Sequence, residues 1–142
     1  MSLSTKKTKG NKELRKIKRL LSVILSALLL TACTESANSP GYKQITMSEA
    51  VKLMEKEQNY IILDVRRADE YAEGHIPGAI NVANESISTE EIPSLPDKAQ
   101  LILVYCRSGR RSKEAAEKLV KLGYTNIVEF GGILDWKGEI EK

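Results

Sequence analysis

The chain has 142 residues, which is enough for one domain and not for two. Its net charge of +3 is unevenly distributed, because residues 1–32 carry eight Lys or Arg and one acidic residue, whereas residues 33–142 carry 14 basic and 18 acidic residues. Basic character is therefore confined to the N-terminal segment, and no aromatic residues are interleaved with it as a base-stacking surface would require. These features argue against nucleic acid as a partner.

The N-terminal segment has the pattern of a secretory signal peptide. Residues 1–19 are polar and rich in lysine, and residues 20–30 form an apolar run that is shorter than a membrane-spanning helix. Leu30-Thr-Ala-Cys33 resembles the bacterial lipobox, which implies that Cys33 receives a lipid and becomes the first residue of the mature chain. An uncleaved signal anchor and ordinary cleavage with a free Cys33 are the alternatives. All three place the domain outside the cytoplasmic membrane.

The predicted organisation is a signal peptide over residues 1–32, a polar tether over 33–41 and a single domain over 42–142. The lipid on Cys33 would anchor the domain to a membrane of a bacterial cell envelope. The host's envelope decides which membrane that is, and the sequence leaves this open.

The domain begins with a short strand over residues 42–46, followed by a helix with Thr46 and Glu49 at capping-box spacing. Residues 60–65 are almost continuously apolar, as in a parallel strand that is covered on both faces. Asp64 interrupts this run, and a buried carboxylate is costly without a partner. It either supports the loop after Cys106, through hydrogen bonds or an arginine, or pairs locally with Arg66 or Arg67.

The single histidine, His75, lies in the sequence Gly-His-Ile-Pro-Gly, whose proline and glycines favour a turn. It could pair with a nucleophilic cysteine, but the turn favours a structural histidine bonded to local backbone. Residues 79–82 then predict a third strand, and residues 84–98 a brief helix and a loop.

Cys106 follows a short apolar strand over residues 101–104 and precedes a helix predicted from Ser112 to Leu122. Unpaired amides and the positive end of the helix dipole meet at such a junction. Together with three arginines in the same turn, they favour a nucleophilic thiolate and an anionic ligand. The structural alternative is a buried, inert cysteine at the end of a core strand.

A last strand over residues 126–130 and a closing segment over 133–137 complete the domain. Strands that alternate with helices at these lengths predict an α/β fold, with a mostly parallel sheet and helices on both faces.

Three segments resemble the rhodanese-type sulfurtransferases. Cys106-Arg-Ser-Gly-Arg-Arg-Ser112 resembles their active-site loop. Leu63-Asp-Val-Arg66, with Glu70-Tyr71 and the segment 74–81, resembles a motif of the first half of the domain, and residues 130–136 resemble the closing motif. The segments occur in the family's order over residues 42–138. The resemblance implies a rhodanese-like fold with a five-stranded sheet.

The length of the loop separates this family from related cysteine phosphatases, which carry an arginine six residues after the cysteine. Here that position is Ser112, and Arg111 ends a six-residue loop that begins at Cys106. The shorter loop makes a tighter cradle, which suits a terminal sulfur better than a whole phosphate. A phosphatase or arsenate-reductase-like enzyme is therefore the less favoured alternative.

The resemblance implies a sulfurtransferase that moves sulfane sulfur from thiosulfate or a related anionic donor to a thiol or a protein cysteine, through a persulfide on Cys106. A non-catalytic sulfur carrier or binding module of the envelope is the alternative. No cofactor or metal is implied. Arg111 is expected to order the rim of the loop, and Arg107 to point toward solvent or donor. The implied site consists of Cys106, the loop residues Arg107, Ser108, Gly109, Arg110 and Arg111, and the supporting residues Asp64 and Arg66.

Overall fold

The computed structural model describes residues 41–142, so the predicted signal peptide, Cys33 and nearly all of the tether lie outside the described residues. The described part contains a five-stranded, all-parallel sheet with the strand order β1-β5-β4-β2-β3. This confirms the predicted α/β fold. The strands are Lys43–Gln44 (β1), Tyr60–Asp64 (β2), Ile80–Asn81 (β3), Leu101–Cys106 (β4) and Ile127–Gly132 (β5).

Three α-helices connect the strands: Met47–Lys56 (α1), Ala68–Glu73 (α2) and Arg110–Lys121 (α3). The predicted capping box of α1 is present, because Thr46 and Glu49 exchange their hydrogen bonds. Helix α3 begins two residues earlier than predicted. Gly109 precedes it in the left-handed region, at φ 102°, and this lets the chain turn from strand to helix within three residues.

The sheet is covered on both faces, as its apolar strands predicted. On one face, Leu63, Val104 and Ile127 pack with Ala115 and other residues of α3. On the other face, Ile62, Leu103 and Val128 pack with α1, and the side chain of Tyr71 from α2 lies against the same cluster. Alternate residues of each strand thus enter opposite cores.

Strand β4 lies at the centre of the sheet, between β2 and β5. Because all five strands are parallel, their carboxyl ends share one edge, where ligands bind in open α/β sheets. Cys106 is the last residue of β4, and it pairs with Gly132 at the end of β5, after a shift in the register of the two strands between Val104 and Cys106. The topology therefore places the cysteine in the middle of the ligand-binding edge.

Asp64 pairs with Arg66, which is the local alternative for this carboxylate. Arg66 Nη2 lies 2.6 Å from Asp64 Oδ2, and Arg66 Nε donates to both oxygens of the carboxylate. The two side chains are 8% and 0% exposed. Arg66 also donates to the carbonyl of Gly74, at 2.7 Å. The pair thereby ties the end of β2 to the turn after α2, and its support of the loop after Cys106 stays a prediction.

The neighbouring Tyr105 is fully buried, and its hydroxyl accepts a hydrogen bond from the amide of Ile76 at 3.2 Å. Burial raises the pKa of Tyr105, and the nearby Asp64 carboxylate raises it further.

We expect Arg66→Met to lower the free energy of unfolding by about 3–5 kcal/mol, because the Asp64 carboxylate then stays buried without its partner. The double variant Arg66→Met/Asp64→Leu should recover part of this loss. Urea denaturation of the purified variants measures both.

Arg67→Met is the matched control, because Arg67 pairs with Asp69 on the exposed surface. It should scarcely change the unfolding free energy. Equal losses in Arg66→Met and Arg67→Met would show that the buried pair has no special role.

Candidate active site

Cys106 lies at the junction of β4 and α3, and its side chain is 1% exposed. The backbone amide of Gly109 donates a hydrogen bond to Cys106 Sγ at 3.1 Å. The first amides of α3 have no intrahelical acceptor, and the positive end of the helix dipole lies at the same place. The junction therefore directs a hydrogen-bond donor and the positive end of a helix at the sulfur.

The predicted cradle consisted of the amides of residues 107–111. In the structure one of these amides, that of Gly109, donates directly to Sγ. Its direction depends on the left-handed conformation of Gly109, which side chains other than that of glycine rarely adopt.

The three arginines of the loop have different surroundings. Arg111 forms two hydrogen bonds with the carboxylate of Glu70, at 2.6 and 2.8 Å, and both side chains are mostly buried. The exposed Arg110 pairs with Glu114 at 2.6 Å. Arg107 is exposed and has no ion-pair partner among residues 41–142. Arg107 is thus the loop arginine whose charge is available to a ligand.

The Arg111–Glu70 pair joins α2 to the first turn of α3. Hydrogen bonds from Arg111 are the largest cause that lowers the pKa of Glu70, to about 2, and Glu70 in turn raises the pKa of Arg111. Such a bidentate pair fixes the arginine in one orientation. Arg111 is therefore held as a structural cation between α2 and α3, and its role in ordering the rim of the loop stays a prediction.

The end of β5 lies directly against the loop. A Cβ atom at Gly132 would lie 2.1 Å from the carbonyl oxygen of Arg107 and 2.5 Å from Ser108 Cα, so only glycine fits without a shift of the backbone. The amide of Leu134 donates to the same Arg107 carbonyl at 3.3 Å. Gly132 is thus the residue of the closing motif that lets the loop approach so closely.

The sequence analysis missed two features of the site. One is the buried contact of the Ser112 side chain, and the other is Glu129. Ser112 Oγ lies 2.6 Å from Glu129 Oε1 and 2.9 Å from the carbonyl oxygen of Gly109. Both side chains are buried. The signal was available, because Glu129 interrupts the apolar strand 126–130 as Asp64 interrupts β2.

His75 is not paired with Cys106. Its ring stacks on Tyr71, with 3.8 Å between the ring centroids, and Nδ1 lies 3.1 Å from the carbonyl oxygen of Tyr71. Its backbone forms two hydrogen bonds with Glu141. These contacts correspond to the alternative in which His75 is a structural histidine bonded to local backbone.

An open cleft of about 370 Å³ adjoins the outer side of the loop. It is lined by Gln44, Ile45, Thr46, Glu49, Ser108, Gly109, Lys113, Glu129 and Gly131. Within residues 41–142, no group of His, Cys, Asp or Glu side chains is arranged to hold a metal ion. In the same part of the chain, no helix combines the length and the hydropathy needed to span a membrane.

We expect the stabilising contribution of Glu70 to depend on pH. Its pKa is about 2 in the folded state and 4.5 as an ordinary value, so the unfolded chain binds the proton first as the pH falls. The contribution is complete above the ordinary value and is lost on the way down to the folded value. Urea denaturation should show that Glu70→Gln loses stability at neutral pH, and that the difference from the unsubstituted protein disappears near pH 2.

Glu73→Gln serves as the control on the same helix, because Glu73 forms no ion pair within residues 41–142. Its difference from the unsubstituted protein should change little over this range. A Glu70→Gln difference that persisted unchanged at the acid end would contradict the assignment.

Comparison with known proteins agrees with this geometry. The family model described as the rhodanese-like domain matches residues 46–139. The thiosulfate sulfurtransferase PspE of Escherichia coli strain K12 is 37% identical over 73 residues, which are 51% of this chain and 70% of PspE. The thiosulfate sulfurtransferase GlpE of Coxiella burnetii strain RSA 331 is 36% identical over 97 residues, 68% of this chain and 88% of GlpE.

A solved structure described as a rhodanese with anions from E. coli superposes with a TM-score of 0.54. It is 34% identical to this chain and covers 58% of it, and the match takes in 98% of that structure. The match of the family model to residues 46–139 contains the whole β4–loop–α3 unit. The chain belongs to the family of rhodanese-like domains.

Proposed function

We propose that the protein is a sulfurtransferase that moves sulfane sulfur from thiosulfate or a related anionic donor to a thiophilic acceptor, through a persulfide on Cys106. The observation that carries this proposal is the position of Cys106 Sγ. It accepts a hydrogen bond from the Gly109 amide at the positive end of α3. These groups stabilise the thiolate before the reaction and the terminal sulfur of the persulfide after it.

In the first step, the Cys106 thiolate attacks the outer sulfur of thiosulfate. A new S–S bond forms on Cys106, the S–S bond of thiosulfate breaks, and sulfite leaves with the electron pair. In the second step, an acceptor thiolate or cyanide attacks the outer sulfur of the persulfide. The Cys106 thiolate then leaves with the electron pair, and the site returns to its starting state without an external oxidant or reductant.

Arg107 supports the proposed preference for an anionic donor. It is the exposed loop arginine without an acidic partner in the described residues, whereas Arg110 and Arg111 are paired with Glu114 and Glu70. An exposed, unpaired cation on the residue that follows Cys106 raises the local concentration of anions and speeds their encounter with the site.

The acceptor is proposed to be an external thiol or a cysteine of another protein. Cys106 is the single cysteine of residues 41–142, so no second thiol lies beside it there. Sulfur carriage without rapid turnover uses the same persulfide, and it differs from catalysis in the rate of the second step. Phosphate transfer is less well supported, because Ser112 replaces the expected arginine and its hydroxyl contacts Glu129.

Mass spectrometry of the peptide that contains Cys106 tests the proposed chemistry. Trypsin cuts after Lys98 and Arg107, so the peptide 99–107 reports on this cysteine alone. Incubation with thiosulfate should add one sulfur atom to the peptide, and cyanide should remove it. Cys106→Ser should not load sulfur, whereas Cys33→Ser should load it normally.

Failure to load sulfur from thiosulfate and from other sulfane donors would refute the proposal in favour of a binding module. Loading without repeated turnover to cyanide would favour the carrier role over the enzyme.

We also propose that a lipid on Cys33 anchors the domain outside the cytoplasmic membrane of a bacterial cell. The basic start of the chain, the apolar run 20–30 and Leu30-Thr-Ala-Cys33 support this proposal. In bacterial cells supplied with labelled palmitate, the protein should carry the label and sediment with membranes. Cys33→Ser should lose both properties. Absence of the label from the protein with Cys33 intact would contradict the proposal.

A further inference from the structure

Two acidic residues lie buried in the central strands, and only one of them is neutralised. Asp64 in β2 pairs with Arg66. Glu129 in β5 is 2% exposed and has no ion-pair partner among residues 41–142. Burial of a carboxylate costs free energy unless hydrogen bonds compensate for the lost water. The contacts of Glu129 should therefore show why a carboxylate stands there in place of an apolar side chain.

Glu129 contacts the loop and the end of β5 at the same time. Its Oε1 accepts a hydrogen bond from the amide of Gly131 at 2.9 Å and lies 2.6 Å from Ser112 Oγ. The Ser112 hydroxyl has one hydrogen, which it shares between Glu129 Oε1 and the carbonyl oxygen of Gly109, 2.9 Å from Oγ. The carboxylate thus connects Gly131, on the strand below the loop, with Ser112, in the first turn of α3.

Gly109 is the residue on which these contacts converge. Its carbonyl oxygen lies beside Ser112, and its amide donates to Cys106 Sγ. The amide and the carbonyl belong to successive peptide planes, whose relative orientation is set by the φ and ψ of Gly109. Glycine has little conformational preference of its own at φ 102°, so contacts on either side must fix this geometry.

Electrostatics alone would not favour Glu129 at this place. A carboxylate near a thiolate disfavours the charge on the sulfur, since like charges repel. Its presence beneath the loop is explained if the geometry that it imposes outweighs that repulsion.

We propose that Glu129 is a positioning residue for sulfur transfer: held by the Gly131 amide, it sets the conformation of Gly109 through Ser112, and so it directs the Gly109 amide at Cys106 Sγ. The inference rests on the proposed function for its biological meaning, although the geometry concerns the sulfur itself.

Alkylation of Cys106 by iodoacetamide, a neutral reagent, tests the proposal in the full-length protein. The rate is followed on the peptide 99–107 over a range of pH, and the midpoint of the profile reports how readily the thiolate forms. Glu129→Leu and Ser112→Ala should each raise the midpoint by about one pH unit, which is about a tenfold decrease in the ionisation constant of the thiol, because the sulfur loses a charge-assisted hydrogen bond.

Glu129→Gln should restore most of the original midpoint, because its side-chain oxygen still accepts hydrogen bonds from Ser112 and Gly131. The double variant Glu129→Leu/Ser112→Ala should shift no further than either single variant, since both changes cut the same connection. An influence of Glu129 through its charge predicts the opposite sign, with lower midpoints in both Glu129→Leu and Glu129→Gln.

Glu49→Gln is the matched control, because Glu49 lines the same cleft but forms its hydrogen bonds with Thr46. Its midpoint should not change. An unchanged midpoint in folded Glu129→Leu, or a Gln variant that shifts as far as the Leu variant, overturns the proposal. If Glu129→Leu does not fold, an unchanged midpoint in folded Ser112→Ala overturns the proposal in its place. Alkylation requires no sulfur donor or acceptor, so its outcome is independent of persulfide loading.

Discussion

The structure depends on one constraint: a central strand must pass into a helix within three residues and leave a sulfur atom facing the helix amides. Gly109 meets this constraint through a left-handed backbone conformation, which turns its amide toward Cys106 Sγ at 3.1 Å. The unpaired amides at the start of α3 and the helix dipole favour negative charge at the same point. The sulfur thereby accepts a hydrogen bond from a fixed amide, while the cysteine stays almost entirely buried.

A turn this tight is held in place by the elements around it. From the side, Glu70 of α2 binds Arg111 in a bidentate ion pair. From below, Gly132 lets the end of β5 contact the carbonyl of Arg107 without a side chain between them. The Ser112 hydroxyl contacts both the carbonyl oxygen of Gly109 and the buried carboxylate of Glu129. The three supports come from different parts of the chain, so the loop is a product of the whole fold.

The three arginines of the loop differ in whether the protein itself pairs them. A pattern of three cations beside a cysteine indicates an anion site, but it does not distinguish a cation that binds a ligand from one that binds the protein. In the folded chain, Arg111 pairs with Glu70 and Arg110 pairs with Glu114, whereas Arg107 is exposed. An arginine in an ion pair with the protein stabilises the loop, and an unpaired arginine can attract an anionic ligand.

The sequence by itself determined the α/β fold, the parallel sheet covered on both faces, the capping box of α1 and the place of Cys106 between a strand and a helix. Hydrophobic periodicity and local hydrogen bonding suffice for these features. Tertiary structure alone decided that Asp64 pairs with Arg66, that His75 stacks on Tyr71 away from the cysteine, and that Glu129 meets Ser112. The Glu129–Ser112 contact joins residues 17 positions apart, on a strand and a helix, and only the packing of the chain brings them together.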